Sequence, residues 1–178
     1  MLSEMQVRPP DNDTVSPEQL RQVMGYVPTS VAVVSAMTRR GPVGLTVGTF
    51  VSASLDPPLI GFLPARTSTT WPLIVPVGSF CVSVLGADNE QLSRQFATSG
   101  GKKFEGVPWY TSPHGSPVIE GCLASFDCAF ERCYPAGDHW FVLGRVLDLD
   151  VRESGHPLVF CHGGYERLAS APAIPSGG

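Results

Sequence analysis

The chain has 178 residues, a formal net charge of -4 and a pI near 5.5. That length is one domain able to bury a core without metal or disulfide staples, and an acidic balance with no basic stripe excludes a nucleic-acid surface. The longest apolar runs are far too short to span a bilayer and Met1 to Pro10 lacks a signal-peptide core, so a cytoplasmic protein with no membrane contact is expected.

Residues 1–15 are polar and proline-containing, and residues 169–178 are rich in Ala, Pro, Ser and Gly. Both ends read as flexible tails around one folded domain, residues 16–168. Ser16-Pro17-Glu18-Gln19 is a capping box with proline at the first helical position, which predicts a short helix through about Tyr26. Val31 to Thr38 and Val43 to Ser54, joined by the turn Arg39-Arg40-Gly41-Pro42, predict a strand pair. Leu59 to Leu63 and Phe80 to Leu85 are two more short strands. Between them "TSTTWPLI" suits a short helix with hydroxyl caps. Asp88 to Thr98 predicts a clearer helix, with Asp88 as cap and Leu92 and Phe96 on one face. In Cys122 to Tyr134 the apolar Ala124, Phe126, Cys128 and Phe130 alternate with Ser125, Asp127 and Glu131, the pattern of a half-buried strand. "PAGD" turns the chain into His139 to Val151, and "RESGHP" turns it again into Leu158 to Cys161. Helices are too few to alternate with strands, so the predicted architecture is mainly β, an antiparallel barrel with a few peripheral helices.

The strong catalytic motifs are missing: G-x-G-x-x-G, the P-loop, G-x-S-x-G and H-E-x-x-H do not occur. Cys81, Cys122, Cys128, Cys133 and Cys161 contain no C-x-x-C pair and read as plain thiols, mostly in the core. The histidines are widely separated, and no metal site is expected. Hydroxyls and small residues remain. Gly44, Gly48, Ala53, Thr46, Thr49, Ser52 and Ser54 fall on one predicted strand, where glycine lets a flat ligand approach the backbone. Ser68, Thr69 and Thr70 enter a helix with Arg66 upstream, a set of N–H groups, hydroxyls and a guanidinium that suits an anion. A flat ring beside a phosphate is the pattern of a nucleotide-like cofactor. The same hydroxyls also suit strand filler and helix caps.

"GLTVGTFVSASLDPPLIGF", "SFCVSVL", "KKFEGVPW", "GSPVIEGCLASFDC", "YPAGDHWFVLGRV" and "PLVFCHGGYERL" follow one another in this order. Together they resemble the flavin reductase components of two-component flavin-dependent monooxygenases, including those of aromatic polyketide pathways such as actinorhodin. The resemblance runs from Val27 to Leu168 and implies an FMN-binding split barrel, an antiparallel Greek-key barrel that works as a homodimer. It implies hydride transfer from NADH to FMN or FAD and release of the reduced flavin to a separate monooxygenase. It also implies cofactor contacts at Thr29, at the backbone of Gly44, Leu45, Thr46 and Val47, and at Ser52, Ala53 and Ser54. Arg66, Ser68, Thr69 and Thr70 would meet the phosphate end, and Lys103 and Phe104 would lie close by. His139, Gly163 and Tyr165 would line the nicotinamide side, with His139 the candidate catalytic residue. The segment "CHGGYERL" departs from some relatives by His162 and Gly164, which leaves the choice between NADH and NADPH open. A split barrel could alternatively bind or store flavin without turnover, or use another cofactor such as heme or pyridoxal phosphate.

Overall fold

A computed structural model describes residues 15–152 and 154–168; the two expected tails, Val15 apart, lie outside the described residues. The first element is α1 (Pro17–Met24), and its capping box forms as the sequence dictates: the Gln19 N–H donates to Ser16 Oγ and the Ser16 N–H to Gln19 Oε1. Next come β1 (Thr29–Ser30), β2 (Ala32–Thr38), β3 (Gly41–Val47), β4 (Phe50–Leu55) and β5 (Pro58–Phe62). The short α2 (Trp71–Ile74) leads through a 3₁₀ turn to β6 (Ser79–Val84), and α3 (Glu90–Ala97) precedes β7 (Trp109–Thr111) and β8 (Pro117–Ile119). The chain closes with β9 (Ala124–Ala136), β10 (His139–Val151), β11 (Val159–Cys161) and β12 (Gly164–Glu166).

Seven strands form one antiparallel sheet in the order β3-β2-β6-β9-β10-β5-β4. β3 and β4 are consecutive in sequence yet stand at the two ends of this order. The sheet therefore curls around until its two edges meet without pairing, which is a barrel with a split. Its filling is apolar, with Val34, Phe62, Phe80, Val82 and Val142 all at 1% exposure or less. Trp71 and Ile74 of α2 plug one end. A second cluster outside the barrel packs Phe96 of α3 with Val31, Val33, Leu85 and Leu158. A three-stranded sheet, β1-β11-β12, and the ribbon β7-β8 complete the fold.

Four expectations need correction. Val43 to Ser54 is two strands: the run breaks at Gly48-Thr49, β3 pairs with β2, and β4 pairs with β5. Asp88 does not cap α3; it pairs with Arg167 at 2.6 Å, and Asn89 holds the N-cap position while its Oδ1 accepts the Gly86 N–H. Ser125 and Asp127 are not on a solvated face; both are buried, the His114 N–H of the 112–116 turn donating to Asp127 Oδ2 at 3.0 Å and Arg152 Nε donating to Ser125 Oγ at 3.3 Å. The "PAGD" turn is also tighter than its four residues suggest. Strand pairing continues through Pro135 and Ala136, and only Gly137 and Asp138 turn, with Gly137 at φ 63°.

Candidate active site

The split end of the barrel holds a cleft of about 360 Å³. One wall is the end of β3, Leu45 to Val47, continuing through Gly48 and Thr49. The opposite wall is the segment after β5, including Thr67 to Thr70, and the third is the end of α3 with Thr98 and Ser99. Lys103 and His139 complete it. Residues as far apart in sequence as Leu45 and His139 thus converge, because the ends of β3 and α3, the entrance to α2 and the first residue of β10 meet at the same rim.

Several of the hydroxyls have a defined hydrogen-bond partner. Thr46 Oγ1 donates to the Ser93 carbonyl at 2.7 Å and ties β3 to α3. Ser68 Oγ accepts the N–H groups of Thr70 and Trp71, at 3.3 and 3.1 Å, and so starts α2. The N-cap of α2 is Thr70, which makes no side-chain cap hydrogen bond, so the expected hydroxyl cap is replaced by this turn from Ser68, and Thr69, exposed at the rim, is left as the freer hydroxyl of the three. Thr70 Oγ1 accepts from Lys103 Nζ at 3.1 Å, and the same ammonium donates to the Phe96 carbonyl at 3.0 Å. Desolvation pushes the Lys103 pKa below the usual lysine value of 10.5. No carboxylate among the described residues pairs with it. A half-desolvated, fixed cation facing hydroxyls is the donor set that a phosphate ester satisfies.

His139 stands on the first rung of β10. It pairs with Ala136 on one side and bridges Ala65 on the other, so its backbone is held from two directions. Its Nδ1 lies 2.7 Å from Asp138 Oδ1, with the ring 40% exposed toward the cleft. The hydrogen bond and charge of His139 hold the Asp138 carboxyl below its usual value. An Nδ1 engaged by the carboxylate leaves Nε2 to meet a ligand.

Other candidates sit further off. Thr29 Oγ1 would be 3.4 Å from a Cβ at Gly48, so β1 backs the cleft at that glycine. Gly44 lacks a side chain for a different reason than ligand approach: a Cβ there would fall 2.8 Å from the Phe96 ring. Tyr165 Oη is 2.8 Å from Ser93 Oγ and its ring lies under Arg94, which places it one layer behind Thr46. Gly163 turns β11 into β12 with φ 76°. Phe104 packs edge-on against Phe96. Arg66 stacks over Trp140 and donates to the Gly137 carbonyl at 3.3 Å, away from the Thr69–Lys103 wall. Ser52, Ala53 and Ser54 lie on the open edge strand β4, outside the cleft lining. Thr98 and Ser99, which do line it, were not foreseen. Their only sequence signal was a hydroxyl pair following a helix, too common to single out.

A split barrel whose rim joins a strand-end backbone, hydroxyls, a fixed ammonium and a histidine can hold a phosphate-bearing planar ligand, the kind of site a flavin-dependent oxidoreductase needs. Comparison with known proteins agrees: the flavin reductase like domain matches residues 24–169. A flavin reductase of Pseudomonas putida is 42% identical over 157 residues, covering 88% of this chain and 92% of its own. The reductase subunit HsaB of a flavin-dependent monooxygenase from Rhodococcus jostii is 35% identical over 164 residues, covering 92% and 84%. Among solved structures, the NADH:FAD oxidoreductase SgcE6 of Streptomyces globisporus, in complex with NAD and FAD fragments, superposes with a TM-score of 0.81 at 33% identity, covering 89% of this chain and 98% of its own. The chain belongs to the flavin reductase-like family, and its fold is that family's split barrel.

Proposed function

We propose that the chain is an NADH-dependent flavin reductase that passes hydride from NADH to FMN or FAD and supplies the reduced flavin to a separate flavin-dependent monooxygenase. The observation that carries this reading is the convergence of the Leu45–Gly48 backbone, the Thr67–Thr70 hydroxyls, Lys103 and His139 on one cleft. Bound flavin would supply the hydride acceptor. This chain's residues do the remainder. Lys103, Thr69 and Thr70 hold the phosphate end, and the backbone of residues 45–48 supports the ring. His139, fixed by Ala136, Ala65 and Asp138, orients the nicotinamide nucleotide from the opposite side. Holding two rings in register removes much of the entropic part of the barrier, so no strong acid or base is required.

The monooxygenase partner and the donor are favoured by the named activities of the relatives. A homodimer is favoured by β4, an unpaired edge carrying Val51 and Leu55, the latter 88% exposed. Covering that edge with a second copy would bring a partner surface onto Ser52, Ala53 and Ser54, where the resemblance expects cofactor contacts. Among the described residues no helix is long and apolar enough to cross a membrane. A cytoplasmic location suits a protein that draws on NADH and whose cysteines are unbridged.

The deciding experiment follows NADH absorbance with and without added FMN. Flavin-dependent NADH oxidation is expected. Flavin binding without NADH turnover would favour a binding or storage domain instead.

A further inference from the structure

Thr69, Thr70 and Lys103 form more than one wall of the flavin cleft. On their far side lies a larger cleft, about 640 Å³, bounded by the β2–β3 turn, α2 and the 100–105 loop. The two clefts share those three residues and so adjoin at that wall, where Thr69 is exposed. Their chemistry differs. The second has an apolar floor of Val43, Leu73 and Phe104 and two cations at its rim, Arg40 and Lys102. None of the ion pairs among the described residues uses either cation. Glu105 is the carboxylate in the lining.

The flavin reading puts the 5′-phosphate on the shared wall. FMN ends at that point, whereas FAD continues with a second phosphate, a ribose and adenine. The second phosphate, leaving the wall on its far side, would meet Arg40 and Lys102. Adenine is flat with apolar faces and would lie on Leu73, Phe104 and Val43, and Glu105 is an acceptor for its exocyclic amine. We propose that the second cleft takes the adenylate half of FAD, and that this chain consequently binds FAD in preference to FMN. The proposal rests on the flavin-reductase reading above. The same chemistry, an adenosine phosphate, is also carried by NADH. FAD is the better fit, because this cleft adjoins the wall assigned above to the flavin phosphate, while His139 lines the first cleft and not the second.

The test is calorimetric titration of oxidised FAD and oxidised FMN, without donor, into the wild type and an Arg40→Ser/Lys102→Ser variant. Both positions are exposed, so the fold should survive. The wild type is expected to bind FAD more tightly, and the variant to lose about tenfold in FAD affinity, the equivalent of one exposed charge-assisted contact, with FMN affinity within about twofold. Leu73→Glu, also at an exposed position, places a negative charge on the floor and should weaken FAD alone. An unchanged FAD-to-FMN ratio in both variants would overturn the proposal. A parallel steady-state arm compares NADH with reduced nicotinamide mononucleotide, FMN being the acceptor. Loss of kcat/KM for NADH alone would assign the cleft to the donor and also overturn the proposal. Wild type that neither binds nor reduces either flavin would refute the reductase reading itself, whereas reduction of both with unaltered selectivity refutes only the adenylate assignment.

Discussion

The two halves of "GLTVGTFVSASL" are close in composition and opposite in circumstance. Gly44 to Val47 belong to β3, with Leu45 and Val47 at 7% and 4% exposure, and Leu45 to Val47 form a wall of the candidate cleft. Phe50 to Leu55 form β4, whose small residues and Leu55 face outward on an unpaired edge. Only two residues, Gly48 and Thr49, separate them. The same small and hydroxylated side chains build a site when a helix, here α3, closes over them, and form a bare edge when nothing in the chain does. Composition marks a surface that can hold a ligand; the packing partner decides whether it is a cleft.

The sharpest break between buried and open regions is at glycines. Gly144 on β10 lies in the barrel wall, and a Cβ there would come 2.5 Å from Cζ of Phe80 and 3.3 Å from Cβ of Cys128. Gly144→Ala should therefore cost about 1–3 kcal/mol through overpacking, read as a fall in the denaturation midpoint with an unchanged slope. Gly44→Ala presses on Phe96 in the same way and should cost stability as well.

Next in size is the loss expected at His139. His139→Ala should lower kcat/KM for NADH by about ten- to a hundredfold, the range for losing a positioned contact, and leave the Kd for FMN near the wild-type value. A variant that melts lower and loses FMN together with NADH would instead make the ring a structural anchor of the Gly137-Asp138 turn.

The smallest effect belongs to β4. Ser52→Ala combined with Ser54→Ala, at one exposed and one half-buried position, should change stability by less than about 0.5 kcal/mol, as surface substitutions do. FMN affinity should fall only if a second copy covers this edge. Light scattering on the same samples checks the pairing, and an active monomer with unimpaired FMN binding would remove β4 from the site.

The strand pattern, the α1 capping box and the gathering of Ser68, Thr69 and Thr70 at the entrance to α2 were legible because each depends on local chemistry: alternation, a capping residue, hydroxyls beside a helix start. The break at Gly48-Thr49 was not, since alternation runs through it and only the pairing of β3 with β2 and β4 with β5 reveals two strands. Asp127 read as solvated because a carboxylate in an alternating strand normally faces water, and no local signal announces the turn that buries it. Lys103 was legible only through the family resemblance. Its significance lies in a carbonyl and a hydroxyl from distant segments, Phe96 and Thr70, which no spacing rule connects. Thr98 and Ser99 likewise become part of the cleft only once α3 is docked.

The phosphate wall is where these distant segments meet, and Lys103→Ala is its most direct test, with FMN and riboflavin binding measured side by side. Losing the ammonium should weaken FMN by roughly tenfold, the equivalent of about 1.5 kcal/mol for a charge-assisted hydrogen bond, and leave riboflavin, which has no phosphate, unchanged. The pH dependence has a definite sign. The free lysine is held below 10.5, and a bound phosphate favours its charged form, so FMN binding takes up a proton and weakens as pH rises through the alkaline range below 10.5. That slope should be present in the wild type, absent for riboflavin and absent in Lys103→Ala. Equal weakening of FMN and riboflavin in the variant, or an FMN affinity that does not fall, would contradict the assignment of this wall to the flavin phosphate.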